Sequence, residues 1–187
     1  MSRSMIDDVV KFLNSKKCSV FLSFPFDGAL SGNPNEVVTK VLFINYREST
    51  RIKNSDIPTL TNHIDTKLSF EDYEILRRGE NNEAYYKIVN KIAHGHGIHG
   101  IRKGKPTKEF DLTSFSSKFC GSHNLNMPFW DNIVSQWLMD NGYQHEYRNY
   151  PQYVEKIIKL QSDYSLNGFT LREIEFAIWQ LCKESNS

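Results

Sequence analysis

The amino-acid sequence predicts a mainly α-helical protein. From residue 56 onward, apolar residues recur at the three- and four-residue spacing that is typical of amphipathic helices. Capping-box patterns also stand before two of these runs, at Ser69 with Asp72 and at Thr170 with Glu173. Hydrophobic residues make up 39 % of the 187 residues, which is enough for a packed core and excludes a disordered chain. These observations predict helices that pack around apolar faces.

The predicted elements before residue 50 are less uniform. A helix is expected over residues 4–16, where apolar residues fall on one face. The β-branched and aromatic stretch at 18–26 indicates a strand or an extended segment. The apolar run at 36–46 suits either a strand or a helix, so the fold class leaves room for a small N-terminal strand element. The later helices are expected at 69–78, 82–93, 116–127, 132–139 and 151–163, and from residue 170 onward.

Several protein classes are excluded by the composition. No stretch approaches the roughly 18 apolar residues that a membrane span needs. The N-terminus turns acidic where a signal peptide would turn apolar. Cys18, Cys120 and Cys182 are odd in number and far apart, which is typical of reduced thiols. We therefore expect a cytoplasmic protein with no membrane partner, folded as one domain over residues 1–187 with an N-terminal segment over residues 1–55.

Positive charge is concentrated in one part of the chain, although the net charge is only +1. Residues 101–118 hold five Lys or Arg side chains against two acidic ones. A basic segment of this kind is suited to contact phosphates, and an ordinary solvated loop is the alternative interpretation. The candidate DNA-contacting side chains are Arg102, Lys103, Lys105 and Lys108.

The most informative pattern lies within residues 111–138. Residues 112–118 read Leu-Thr-Ser-Phe-Ser-Ser-Lys, and residues 130–134 read Trp-Asp-Asn-Ile-Val. Together they resemble the helix-hairpin-helix DNA glycosylase superfamily, in its 8-oxoguanine glycosylase-like branch. The hairpin of that superfamily reads Leu-Pro-Gly-Val-Gly-x-Lys and is followed, after one helix, by Val-Asp-x-x-Val. The resemblance covers about residues 80–182 and implies a helix-hairpin-helix glycosylase-like domain with its catalytic region there.

The resemblance implies a DNA glycosylase that excises a damaged or modified base, with or without lyase activity at the abasic site. Lys118 takes the place of the catalytic lysine and Asp131 that of the catalytic aspartate. A carboxylate stabilises the oxocarbenium-like sugar that forms when the glycosidic bond breaks. A neutral lysine attacks the anomeric carbon and forms a Schiff base. Double-stranded DNA is the implied partner, and no cofactor is expected.

The same resemblance assigns the DNA backbone and the extruded base to further residues. Ser114 and Ser116 stand where the family has the hairpin glycines that approach a phosphate. The extruded base needs an aromatic-lined pocket, for which Phe119, Trp130 and Trp179 are the candidates, with core packing as the alternative.

Three alternatives remain open. The serines in place of glycines leave room for a catalytically inactive, glycosylase-like subunit that binds DNA or a protein. His94, His96 and His99 lie in a glycine-rich stretch and suggest a metal-dependent hydrolase, although no cysteine or carboxylate has a conventional ligand spacing. Cys120 and His123 allow a thiol–imidazole pair.

Overall fold

The computed structural model describes residues 3–15, 34–48, 50–79, 83–124 and 126–185, and within them the chain is mainly α-helical. It divides into two compact units. The terminal unit contains Met1–Pro25 and Leu125–Ser187, and the central unit contains Phe26–Asn124. The mainly α fold class that the sequence predicts is confirmed, whereas the glycosylase-like fold stays a prediction.

The central unit contains the two-stranded sheet and five of the helices in the described part of the chain. Helix α2 packs against α3 and α6, and α5 packs against α4 and α6. A 3₁₀ turn, Asn54–Asp56, leads directly into α3. In chain order the elements are α2 (Pro34–Arg47), α3 (Ile57–Lys67), α4 (Phe70–Arg78), α5 (Glu83–Ala93), β1 (His99–Arg102), β2 (Lys105–Glu109) and α6 (Thr113–Gly121).

Four further helices form the described part of the terminal unit. Helix α9 packs against each of the other three, so its apolar stripe lies at the centre of this unit. The buried residues of that stripe include Ile174, Ala177 and Ile178. The elements are α1 (Arg3–Asn14), α7 (Asn132–Asp140), α8 (Tyr150–Asp163) and α9 (Leu171–Glu184).

The ambiguous run at 36–46 belongs to a helix. Val37, Val41 and Ile44 are completely buried, at the three- and four-residue spacing of one helix face. A half-buried strand would instead have buried alternate residues. Lys40 lies in the same buried stripe, since it follows Val37 by three residues.

Both predicted capping boxes are confirmed. The side chain of Ser69 accepts the backbone N–H of Asp72, and the Asp72 carboxylate accepts the backbone N–H of Ser69. Thr170 and Glu173 make the same reciprocal pair at the start of α9. Each box satisfies backbone donors that the first turn of a helix leaves without intrahelical partners.

The sheet lies in a part of the chain where the sequence predicts a loop. Strands β1 and β2 form an antiparallel hairpin in which Ile101 pairs with Pro106. Lys103 and Gly104 have positive φ angles of 52° and 74°, as the two central residues of a type I′ turn require. Residues 18–26, where an N-terminal strand was expected, lie outside the described residues.

Helix α6 differs from the prediction in position. The sequence predicts a short helix beginning near Ser116, but α6 begins at Thr113 and ends at Gly121. Residues 112–118 therefore form the start and most of the length of a helix instead of the turn of a hairpin.

No helix within the described ranges has both the length and the apolar character needed to cross a membrane.

Candidate functional site

Lys118 lies in the last turn of α6 and not at a helix start, because the helix begins five residues earlier. Its side chain is buried, with 7 % of the residue exposed. The ammonium group donates a hydrogen bond to the backbone carbonyl of Glu48 at 3.3 Å, within the central unit. The amine of the predicted catalytic lysine is thus held in the interior, and an attack on a sugar requires that it leave this position.

Ser114 and Ser116, the predicted phosphate-contacting serines, are helical residues of α6. Ser116 is completely buried, and its hydroxyl donates to the carbonyl of Thr113 at 3.1 Å. Ser114 is half-buried, and its carbonyl accepts the hydroxyl of Ser117 at 3.1 Å. The hydroxyl of Ser116 is therefore used inside the helix.

Asp131, the predicted catalytic aspartate, is the N-cap of α7 in the terminal unit. Its carboxylate accepts the backbone N–H of Ile133 at 2.8 Å, and the residue is half-buried. This hydrogen bond fixes the orientation of the carboxylate. Lys118 and Asp131 thus belong to different units.

The three predicted base-pocket aromatics also divide between the units. In the central unit, Phe119 is completely buried, and its ring lies 6.1 Å from that of Phe115. In the terminal unit, Trp130 is 1 % exposed and meets the ring of Tyr147 edge-on at 5.6 Å. Trp179 is half-buried and stacks on Phe176 at 6.0 Å.

The basic segment forms the β-hairpin and displays its lysines. Lys103, Lys105 and Lys108 are exposed, and among the described residues none of their ammonium groups forms an ion pair. Glu109, the acidic residue of β2, is engaged elsewhere, since its carboxylate accepts the backbone N–H groups of Gly95 and Gly97 at 3.0 and 2.6 Å. Arg102 ends strand β1, and only its backbone is described.

The histidine-rich loop is held by hydrogen bonds to the backbone. The Nε2 atom of buried His96 donates to the carbonyl of Phe110 at 2.9 Å, and its Nδ1 accepts the N–H of Ile98 at 3.0 Å. Both ring nitrogens are therefore engaged by the backbone, and Nδ1 also lies 3.6 Å from Oε1 of Glu109. Over the described ranges, no group of three His, Cys, Asp or Glu side chains is placed to hold a metal ion.

A cleft of about 520 Å³ lies beside the hairpin. One wall comes from the start of α3 and the turn before it, and the other comes from the two strands and the glycine-rich loop. The lining residues are Asp56, Thr59, Gly97, Ile98, His99, Gly100, Ile101, Pro106 and Thr107.

A buried polar cluster in the central unit was missed by the sequence analysis. The Nζ atom of Lys40 lies 2.5 Å from Nε2 of His123 and 4.7 Å from the centre of the Phe119 ring. Burial lowers the pKa of Lys40 well below its usual value. Burial, together with the charges of Lys40 and Arg77, also lowers the pKa of His123. In both groups burial disfavours the charged form.

Cys120 lies in the same cluster and is completely buried. Burial raises the pKa of its thiol, which stays protonated near neutral pH. The imidazole of His123 contacts Lys40, so the structure does not favour the thiol–imidazole pair that the sequence left open. The described cysteines, Cys120 and Cys182, are free thiols, and Cys18 lies outside the described residues.

The chain belongs to the HI_0787_N family, which is described only as an N-terminal domain. This description names no function. The match covers residues 6–127, which is more than half of the chain. It includes every described element of the central unit, most of helix α1, and Lys118, and it ends before Asp131. No curated protein matches the chain. No solved structure matches it.

Proposed function

We propose that this protein binds DNA through the exposed lysines of the β1–β2 hairpin. The observation that carries the proposal is the display of Lys103, Lys105 and Lys108 on an ordered hairpin, where Glu109 is already engaged by the glycine-rich loop. Three ammonium groups on one short hairpin are suited to neighbouring phosphates, and such contacts release counterions. Binding of this kind carries no sequence information.

The hairpin geometry supports phosphate contacts in a further way. Lys103 occupies the turn, and Lys105 begins β2 directly after it. Lys108 lies three residues further along the same strand, in the segment between Pro106 and Glu109 where the register of the hairpin shifts. The three charges therefore lie along the length of the hairpin. The type I′ turn fixes the backbone positions of Lys103 and Lys105 at its end.

The proposal is tested by fluorescence anisotropy with a labelled 20-base-pair duplex over a range of salt concentrations. We expect weak binding by the wild type, with the logarithm of affinity falling by about 0.9 per phosphate contact for each tenfold rise in salt. Replacing Lys103, Lys105 and Lys108 with Gln together is expected to abolish most of the binding and to flatten the salt dependence.

The matched control replaces Lys67, Lys87 and Lys159 with Gln. These lysines are also exposed but lie on helices α3, α5 and α8, and the change in net charge is the same. Lys87 pairs with Glu83 and Lys159 with Asp163, so this control also shows the effect of removing lysines that already have a carboxylate partner. If both triple variants lose affinity equally, binding depends on net charge and the hairpin assignment is wrong.

Base excision, which the resemblance implies, is the second candidate function, and the orientation of Asp131 favours it. The carboxylate is fixed at the N-terminus of α7 but is only half-buried, so it retains access to solvent. A fixed carboxylate is what stabilisation of an oxocarbenium-like sugar requires. Because the Lys118 amine donates to the carbonyl of Glu48, water is kept as the alternative nucleophile. A screen of duplexes that carry different damaged bases tests for excision directly.

A further inference from the structure

His96 joins the two ends of the β1–β2 hairpin. It lies in the glycine-rich loop that precedes β1, and its side chain is completely buried. Its Nε2 atom donates to the carbonyl of Phe110, the residue that follows β2, at 2.9 Å. Its Nδ1 atom accepts the backbone N–H of Ile98, the residue that precedes β1, at 3.0 Å. One imidazole therefore connects the start of the first strand to the end of the second.

The bond from Ile98 requires one protonation state of the ring. An imidazole nitrogen that accepts a hydrogen bond carries no proton, whereas both nitrogens of a charged histidine are donors. A proton on Nδ1 of His96 thus removes the acceptor of the Ile98 N–H. Because Ile98 is only 5 % exposed, its N–H has little access to water as a replacement, and a buried donor without an acceptor destabilises the fold.

A second acceptor is placed for the charged ring. Oε1 of Glu109 lies 3.6 Å from Nδ1 of His96, slightly beyond hydrogen-bond distance. The bond from the N–H of Gly97 is the largest cause of the lowered pKa of Glu109, so its carboxylate is charged throughout the range in which histidines titrate. A proton on Nδ1 therefore exchanges the bond from Ile98 for a charge-assisted bond to Glu109.

The neighbouring ring of His63 limits the charge that this buried site holds. The rings of His63 and His96 meet edge-on, with 5.9 Å between their centres. Nε2 of His63 donates to the carbonyl of Lys91 at 2.8 Å. Burial lowers the pKa of His63, the bond to Lys91 offsets part of this effect, and positive charge on His96 lowers the pKa further. We therefore expect the two rings to take up one proton and not two in mildly acidic solution.

Further titratable groups lie on the elements around the two rings. Lys91 and Asp72 form an ion pair at 2.8 Å, which compensates both charges. The others are exposed, so water and salt screen their charges, and Glu109 is the direct charge partner of His96. These exposed groups are Lys67 of α3, His94 of the loop, His99 of β1 and Lys108 of β2.

We propose that His96 is a pH-dependent switch at the base of the hairpin: the neutral ring holds Ile98, and the protonated ring bonds to Glu109 and releases the start of β1. The hairpin that carries the exposed lysines is then held less firmly by the loop. This inference goes beyond the proposed DNA binding and is tested without DNA, so that either proposal can fail alone.

Nuclear magnetic resonance measures both bonds over the range of about pH 5 to 8, in which histidine side chains change charge. Nitrogen chemical shifts of the His96 ring show which nitrogen carries a proton. Hydrogen-exchange protection of the Ile98 amide, relative to an unstructured chain at the same pH, reports its bond. As the pH falls, we expect Nδ1 to gain a proton and the protection of Ile98 to fall by about fivefold, the effect of one hydrogen bond. An Nδ1 atom whose protonation does not change over this range, or a protection that does not follow it, overturns the proposal.

His96→Asn removes the titration and keeps the acceptor. An Asn side chain accepts the backbone N–H two residues further on, as Nδ1 of His96 does for Ile98. We expect the protection of Ile98 in this variant to be independent of pH. His94→Asn is the matched control, because His94 is exposed in the same loop, and it should keep the pH dependence of the wild type. If His96→Asn also keeps that pH dependence, another group causes it and the assignment to His96 is wrong.

Glu109→Gln tests the second acceptor. The amide oxygen of Gln still accepts the N–H groups of the loop, but it carries no charge that stabilises a protonated His96. We expect the protection of Ile98 to be lost at a pH about one unit lower than in the wild type. A loss at the same pH in both proteins would overturn the proposed exchange between Ile98 and Glu109.

Discussion

The buried side chain of Lys40 and the half-buried side chain of His123 bring two basic groups together, with 2.5 Å between Nζ and Nε2. Lys40 is 2 % exposed, and the described residues around it include the ring of Phe119 and the thiol of Cys120. Two positive charges at this separation would repel each other strongly in a medium of low polarity. Burial therefore lowers the pKa of both Lys40 and His123 and favours the neutral form of each in the folded protein.

Replacing Lys40 with Met tests this effect of burial. The pKa of Lys40 is lowered by burial in the folded protein, whereas in the unfolded chain it has its usual value near 10.5. Between these two values the unfolded chain binds more protons, so the free energy of unfolding of the wild type rises with pH, by at most about 1.4 kcal/mol per pH unit. We expect Lys40→Met to be more stable than the wild type at pH 7 and to show a flatter pH dependence up to pH 10. Urea unfolding at several pH values measures both effects.

The control for this prediction is Lys67→Met. Lys67 lies at the exposed end of α3, and its charge contributes to lowering the pKa of His63. Its removal is therefore expected to leave the pH dependence of the wild type unchanged between about pH 7 and pH 10, above the titration of that histidine. A variant Lys40→Met with the same slope as the wild type would show that Lys40 is charged in the folded state.

Glu109 is expected to hold the glycine-rich loop against β2. Its carboxylate accepts the N–H groups of Gly97 and Gly95. The bond from Gly97 is the largest cause of the lowered pKa of Glu109, and the bond from Gly95 lowers it further. The two glycines have positive φ angles of 76° and 73°, so the loop depends on a conformation that other residues rarely adopt. Glu109→Gln replaces a charged acceptor with a neutral one, and we expect a loss of about 1–2 kcal/mol in the free energy of unfolding at pH 7.

The pH dependence of this loss has a defined sign. Because the folded-state pKa of Glu109 lies below its usual value of 4.5, the stabilisation is present above pH 4.5 and is lost as the pH falls through the lowered pKa. The difference between the wild type and Glu109→Gln should therefore shrink below pH 4.5. Hydrogen exchange at Gly95 and Gly97 gives a local readout, and Glu155→Gln, a change at an exposed residue of α8, should affect neither measurement.

Local signals in the sequence predicted the helices well. The capping boxes at Ser69 and Thr170 fix the starts of their helices because all of their hydrogen bonds lie within four residues. They therefore do not depend on contacts with distant parts of the chain. The run at 36–46 stayed ambiguous because β-branched residues suit both a strand and a helix, and only tertiary burial of the Val37 face decides between them.

The hairpin and the buried lysines could not be predicted in the same way. Lys103 and Gly104 form a type I′ turn without the Asn-Gly or Asp-Gly pair that usually signals one. The residue type of Lys40 predicts exposure to solvent. Its position three residues after Val37, however, places it in the apolar stripe of α2. Position within the stripe was therefore the available signal for Lys40. For Lys118, burial depends on the packing of α6 against α2, which the sequence does not reveal.

Replacing Asp131 with Asn separates a helix cap from a catalytic carboxylate. Asn also accepts the N–H of Ile133, so the stability should change by only a few tenths of a kcal/mol. The amide carries no negative charge to stabilise an oxocarbenium-like sugar, so base excision should slow by about a hundredfold or more while DNA binding is retained. Single-turnover excision on a damaged duplex measures the rate, and thermal unfolding measures the stability.

Lys118→Gln serves as the comparison. If water is the nucleophile, that variant retains excision, and borohydride traps no covalent adduct even in the wild type. Equal excision by the wild type and Asp131→Asn would show that the carboxylate acts only as the N-cap of α7.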